Sequence, residues 1–138
     1  MPTHETVARF RAAVEKRDLT GVEGLFAPDA RLNSPVKFRP FEGRAAVLAL
    51  LDVLLSRVFE DFRYVGEFTG STEGADAEIL VFRAVAGGRE VHGLDMLHLD
   101  AQGRITDLTV MVRPQSAVQA LGEAVRAGLT EAGVLPEA

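Results

Sequence analysis

One carboxylate stands out by where it falls. In "HGLDMLHLDAQGRI", residues 92–105, apolar and polar residues alternate and then run into a turn. Strand side chains alternate between two faces. Val91, Gly93, Asp95, Leu97 and Leu99 therefore share one face, and His92, Leu94, Met96, His98 and Asp100 share the other. Asp95 is the one ionisable group on the apolar face. Burial disfavours the charged form of a carboxyl, so the acid persists as a hydrogen-bond donor suited to polarising a carbonyl or holding an oxyanion. The competing reading ties Asp95 to a donor such as Asn33, Ser34, His92 or an arginine, or turns it outward by strand curvature near Gly93.

Other polar residues carry weaker chemistry. Asn33 and Ser34 close a short apolar stretch ahead of Pro35, where they either meet a ligand carbonyl or hydroxyl or simply form a turn. His92 and His98 lie six residues apart on one strand face, roughly 20 Å, too far to share a metal. Without cysteine, disulfides, thiolate catalysis and thiolate metal sites are excluded. No metal and no organic cofactor is expected. Arg113, just before Pro114, either meets an anionic group at a rim or pairs with Glu67 or Glu78. The lone tyrosine, Tyr64, shares a predicted face with Phe62, Gly66 and Phe68 and is assigned to core or rim. The leucines of residues 44–59 and Phe10, Phe26, Phe41, Phe59, Phe68 and Phe82 are core by default, some lining a cavity suited to an apolar molecule.

The elements that position these residues follow from periodicity. A first helix over about 3–17 carries Val7, Phe10, Ala13 and Val14 on one stripe. A short helix capped by Asp18 carries Leu19, Val22, Leu25 and Phe26. Residues 30–35 read as a strand stopped by Pro35, and 36–43 as an irregular excursion or edge hairpin. A strongly apolar third helix spans about 44–59. The period then changes from 3.6 to 2 over 62–70, 77–86, 89–100 and 104–113, with a turn at "GG" 87–88, before a last helix after Pro114. Helices, then long strands, then a helix predict a single α+β domain over residues 1–138. Its curved antiparallel β-sheet wraps, as a cone, around the N-terminal helices.

The 138 residues are 47% hydrophobic and 25% charged, the balance of a soluble globule. A net charge of −5 and a pI near 5.2 argue against a nonspecific nucleic-acid surface. The 13 arginines and 2 lysines form no run. The amphipathic start lacks a signal-peptide core, and the longest apolar stretch, 45–55, is too short for a bilayer. A cytoplasmic protein that binds neither nucleic acid nor membrane is expected. The outer face with Leu94, Met96, Met111 and Ile105 is too apolar for open water, which predicts a homodimer through that face.

Three motifs carry a resemblance: "FAPDARLNSP", "FEGRAAV" and "LDMLHLDAQGRI". In order and spacing the chain resembles the nuclear transport factor 2-like superfamily, with its SnoaL-like cyclases and ketosteroid isomerases and its cystatin-like α+β roll. The resemblance implies an isomerase site built from three places. The carboxylate base stands before a proline, nine residues ahead of the glycine of "G-R"; here that is Ser34. The tyrosine donor, 24 residues earlier, is here Phe10. The aspartate donor, eight residues before the hairpin glycine, is Asp95. A serine without a neighbouring base does not remove a proton from carbon, so allylic isomerisation by that mechanism is not expected. The Asp–Arg–Asp set of the epoxide-opening relatives is absent too, its last aspartate falling near Val110.

These observations predict an apolar pocket bounded by Phe10, Asn33, Ser34, Asp95 and Val110. It would take a small hydrophobic carbonyl-bearing molecule. Asp95 would act as the acid or polarising donor of an isomerase, cyclase or lyase type of enzyme. The alternatives are a non-catalytic ligand-binding protein and a dimerisation module whose cavity is filled by its own side chains.

Overall fold

The computed structural model describes residues 2–133. Helix α1 (Thr3–Lys16) buries Thr6, Val7, Phe10 and Val14 along one stripe. It ends where Arg17 turns left-handed, at φ 54°, and the Asp18 N–H reaches back to the Ala13 carbonyl at 2.9 Å. Asp18 caps no α-helix. Its carboxylate accepts the Thr20 N–H at 3.0 Å, and only a 3₁₀ turn follows, over Val22–Leu25.

Strand β1 (Phe26–Asn33) begins earlier than expected, and β2 (Phe41–Glu42) is the short edge piece of the excursion. Helix α2 (Arg44–Val53) passes into a single wide π turn over Leu54–Val58, so the apolar run is helical nearly to Phe59. Four long strands follow: β3 (Glu60–Thr72), β4 (Ala75–Ala86), β5 (Arg89–Leu99) and β6 (Ile105–Arg113). Helix α3 (Gln115–Glu131) closes the fold. No described helix is long and apolar enough to cross a membrane.

The strands form one open curved sheet in the order β2-β1-β6-β5-β4-β3. It is mixed and not purely antiparallel, because β1 pairs with β6 in parallel. The chain must cross from the β1 edge, through α2 and the meander, before β6 returns beside β1. The β3–β4 and β4–β5 turns place residue pairs at positive φ, Glu73–Gly74 and Gly87–Gly88, the twist that two-residue hairpins favour. The Asp100 side chain holds the β5–β6 turn by accepting the N–H groups of Gln102 and Arg104, both at 2.9 Å. The buried Thr6 hydroxyl donates to the Gly103 carbonyl at 2.5 Å, tying α1 to that turn.

The core lies between the helices and the inner sheet face. Ile105 is fully buried there, because a register shift between His98 and Leu99 offsets the two strands where β6 begins. Phe68 moves the other way. A bulge between Tyr64 and Gly66 adds one residue to β3, so Tyr64 faces inward while Phe68 lies outside at 63% exposure. Arg113 pairs with neither Glu67 nor Glu78; its guanidinium meets His92 Nδ1 at 3.3 Å, Glu67 being held by Arg11 and Glu78 by the Thr69 hydroxyl.

Gly93 leaves no room for a side chain. A Cβ there would stand 2.5 Å from Phe82 Cζ and 2.7 Å from the Met111 carbonyl oxygen. Alanine is the better strand former, yet the backbone carbonyl has no room to retreat. Gly93→Ala is therefore expected to lower stability by about 1–3 kcal/mol in urea unfolding, against the propensity trend.

Candidate functional site

Asp95 does point inward. It sits in a cross-strand row with Leu80 of β4 and Val110 of β6 and is 8% exposed. Its partner is Tyr64, whose hydroxyl donates to Asp95 Oδ2 at 2.6 Å. The anchoring donors considered from the sequence, Asn33, Ser34, His92 or an arginine, are not the ones used.

Tyr64 is held by packing. Its ring meets Phe62 edge-on at 5.0 Å, and Phe62 stacks on Phe82 at 4.8 Å. Phe82 in turn occupies the space that Gly93 leaves open. The Arg11 guanidinium lies 5.7 Å from the Tyr64 ring centroid; ion pairs with Glu15 and Glu67 engage its charge. Strand alternation, interrupted by the bulge, is what delivers the hydroxyl. The sequence signal available was the single tyrosine at an inward position of β3.

The electrostatics follow from this geometry. Burial raises the Asp95 carboxyl to about 7, although the Tyr64 hydrogen bond favours the anion and opposes the rise. Burial and the nearby Asp95 push the Tyr64 hydroxyl well above its ordinary value, so it remains a donor. Asp95 Oδ1 accepts no hydrogen bond, while every fully enclosed polar side-chain atom among the described residues has a partner. One carboxyl oxygen is anchored by Tyr64, and the other has no hydrogen-bond partner among the described residues.

A cavity of about 240 Å³ lies under the β1, β2 and α3 side of the sheet, with Leu32, Leu50, Leu54, Phe59, Val110 and Leu129 among its walls. Val110, expected at the pocket, lines it. So does Ser34, whose Oγ also accepts the N–H groups of Val36 and Lys37 at 3.2 and 3.3 Å, making the turn before β2. Asp95 stands one strand over from Val110 and is not itself part of the cavity wall. Phe10 is fully buried against Phe26, edge-on at 6.2 Å, and lies apart from the cavity. Asn33 projects to the outer side, where its amide donates to the Thr109 hydroxyl at 3.0 Å. The two histidines of β5 are on the outer face as well, His98 meeting the Thr72 hydroxyl at 2.9 Å. Among the described residues no cluster of three or more His, Asp or Glu side chains is placed to hold a metal ion.

A carboxyl raised in the folded state makes stability pH-dependent. Between the unfolded value near 3.8 and the folded value near 7, the folded chain holds a proton that the unfolded chain has lost. That stabilisation is complete below about pH 4 and drains away as pH rises to 7, in total on the order of 4 kcal/mol. Urea unfolding from pH 4 to 8 is expected to show this decline in the wild type, levelling above pH 7, and Asp95→Asn is expected to abolish it.

Comparison with known proteins agrees with the geometry. Residues 7–108 match the family model described as a SnoaL-like domain. A steroid delta-isomerase of Nocardioides simplex is 30% identical over 129 residues, covering 81% of this chain and 90% of that protein. The crystal structure of a steroid delta-isomerase from Pseudomonas aeruginosa superposes with a TM-score of 0.87 at 38% identity, covering 96% of this chain and 95% of the other. A conserved bacterial protein with a cystatin-like fold from Silicibacter pomeroyi superposes with a TM-score of 0.82 at 32% identity, covering 92% and 86%. With the helix-backed curved sheet and its inward carboxyl in place, the chain belongs to the SnoaL-like family.

Proposed function

We propose that the protein binds a small hydrophobic molecule bearing a carbonyl group and polarises that carbonyl through Asp95, in an isomerase, cyclase or lyase type of reaction. The observation that carries this reading is the buried Tyr64–Asp95 hydrogen bond of 2.6 Å, which commits Oδ2 and leaves Oδ1 free. A protonated Oδ1 donates to the ligand oxygen, and Tyr64 steadies the negative charge as the proton shifts toward the ligand. The isomerase names of two relatives support the reaction class. Ser34 at the cavity wall limits it. Without a carboxylate there, the reaction is one in which a polarised carbonyl suffices and carbon deprotonation needs no side-chain base.

The test is a labelled carbonyl. On binding to the wild type at pH 6, the ¹³C-carbonyl resonance of 2-cyclohexen-1-one is expected to move downfield. The shift should shrink as pH rises through about 7, where Asp95 loses its proton, and vanish in Asp95→Ala. Tyr64→Phe should reduce the shift and raise the pH at which it disappears, since that hydroxyl favours the anion. An unshifted carbonyl, or a shift unaffected by Asp95→Ala, rules out the donor role.

We also propose a homodimer through the outer sheet face. Phe68, Ile79, Val81, Leu94, Met96 and Met111 fall in two adjacent cross-strand rows there, and Phe68 and Met111 are more than half exposed. A second copy turned about a two-fold axis brings the same apolar rows against themselves. Sedimentation of the wild type is expected to give a dimer, and Phe68→Glu with Met111→Glu a folded monomer.

A further inference from the structure

The cavity has a polar feature that the Tyr64–Asp95 pair does not use. The charged side chains at its wall are Lys37, from the connection between β1 and β2, and Arg126, from α3. Both are exposed, so they stand at its opening. Among the described residues neither makes an ion pair, and they are the two charged side chains of the cavity wall. In a chain of net charge −5, one largely apolar cavity carries two cations and no carboxylate on its wall.

The fold brings them together. Val36 packs against α3 so closely that a Cβ on Gly122 would stand 3.0 Å from Val36 Cγ1. The Ser34 hydroxyl shapes the same turn. Lys37 Nζ lies 4.1 Å from the Phe41 ring centroid, which keeps the ammonium against the cavity wall. Behind these cations the wall is aliphatic and aromatic, with Leu50, Leu54, Phe59 and Leu129. Such a site suits a molecule with a hydrocarbon body, which gains by leaving water, and an anionic end that stays near the surface, where pairing costs little desolvation.

We propose that the cavity takes an apolar carboxylic acid, its hydrocarbon part inside and its carboxylate held between Lys37 and Arg126. This names the substrate class for the function proposed above and rests on that reading of the cavity as a ligand site. The ligand then has two fixed ends: the carboxylate at the rim, and a carbonyl carried inward toward Val110 and the neighbouring Asp95.

Calorimetric titration with sodium octanoate and with 1-octanol tests it. Octanoate is expected to bind the wild type about tenfold more tightly, with the preference shrinking at high salt. Lys37→Met and Arg126→Gln should each reduce the preference about threefold, and the double variant should abolish it. Both positions are exposed, and thermal unfolding checks that the variants fold. Equal affinity for the two probes, binding of neither, or a preference that survives the double variant overturns the proposal. Asp95→Ala is expected to leave the octanoate preference intact. Loss of the carbonyl shift with the preference retained thus removes the Asp95 role alone, and the reverse result removes the carboxylate site alone.

Discussion

A carboxyl group inside an apolar interior constrains everything around it. Left alone, the ionised form is strongly disfavoured, and even the neutral acid must replace the hydrogen bonds it made with water. The protein meets the constraint with one neutral donor, Tyr64, 2.6 Å from Asp95 Oδ2. An arginine in that place would have held the carboxylate ionised, far below neutrality. A phenol stabilises the anion less, so burial prevails and the carboxyl titrates near 7. The choice of partner is what lets the carboxyl keep its proton close to neutral pH.

That choice depends on features well away from Asp95. The bulge in β3 turns Tyr64 inward, and the ring stack of Phe62 on Phe82 fixes its angle. Phe82 sits where it does because Gly93 has no side chain. The same bulge turns Phe68 out into the apolar rows of the opposite face. One inserted residue therefore builds the interior site and the exterior surface together. The cavity is a separate consequence of the fold: α2, its wide final turn and α3 span the open side of the sheet without filling it. The Asp95 row and the cavity meet at Val110, so a ligand seated against that residue has the carboxyl as its next neighbour.

Much of this was legible in the residues themselves. The change of period from 3.6 to 2 located every long strand, the apolar stripes located α1 and α2, Pro114 marked the start of α3, and alternation along 91–99 placed Asp95 on the inner face. These are local signals: a side chain's face follows from its position in a regular element. The default assignment of Phe68 to the core failed where the regularity of β3 breaks between Tyr64 and Gly66. Nothing in "FRYVGEFTG" announces which residue will be the extra one.

The sequence by itself determined the long strands, the main helices, the family resemblance and the inward direction of Asp95, because each depends on neighbours within a few residues. Only the tertiary structure decided the partners. Tyr64 and Asp95 are 31 residues apart, and Lys37 and Arg126 are drawn from the β1–β2 connection and α3. Pairing across such separations depends on strand order, register and the bulge, including the parallel β1–β6 contact. It also decided where the expected pocket residues lie: Ser34 and Val110 at the cavity, Asp95 beside Val110 but outside the cavity wall, Asn33 on the outer face and Phe10 in the core. Backbone alternation sets which way a side chain points. What it meets there is set by chain segments that the local sequence does not contain.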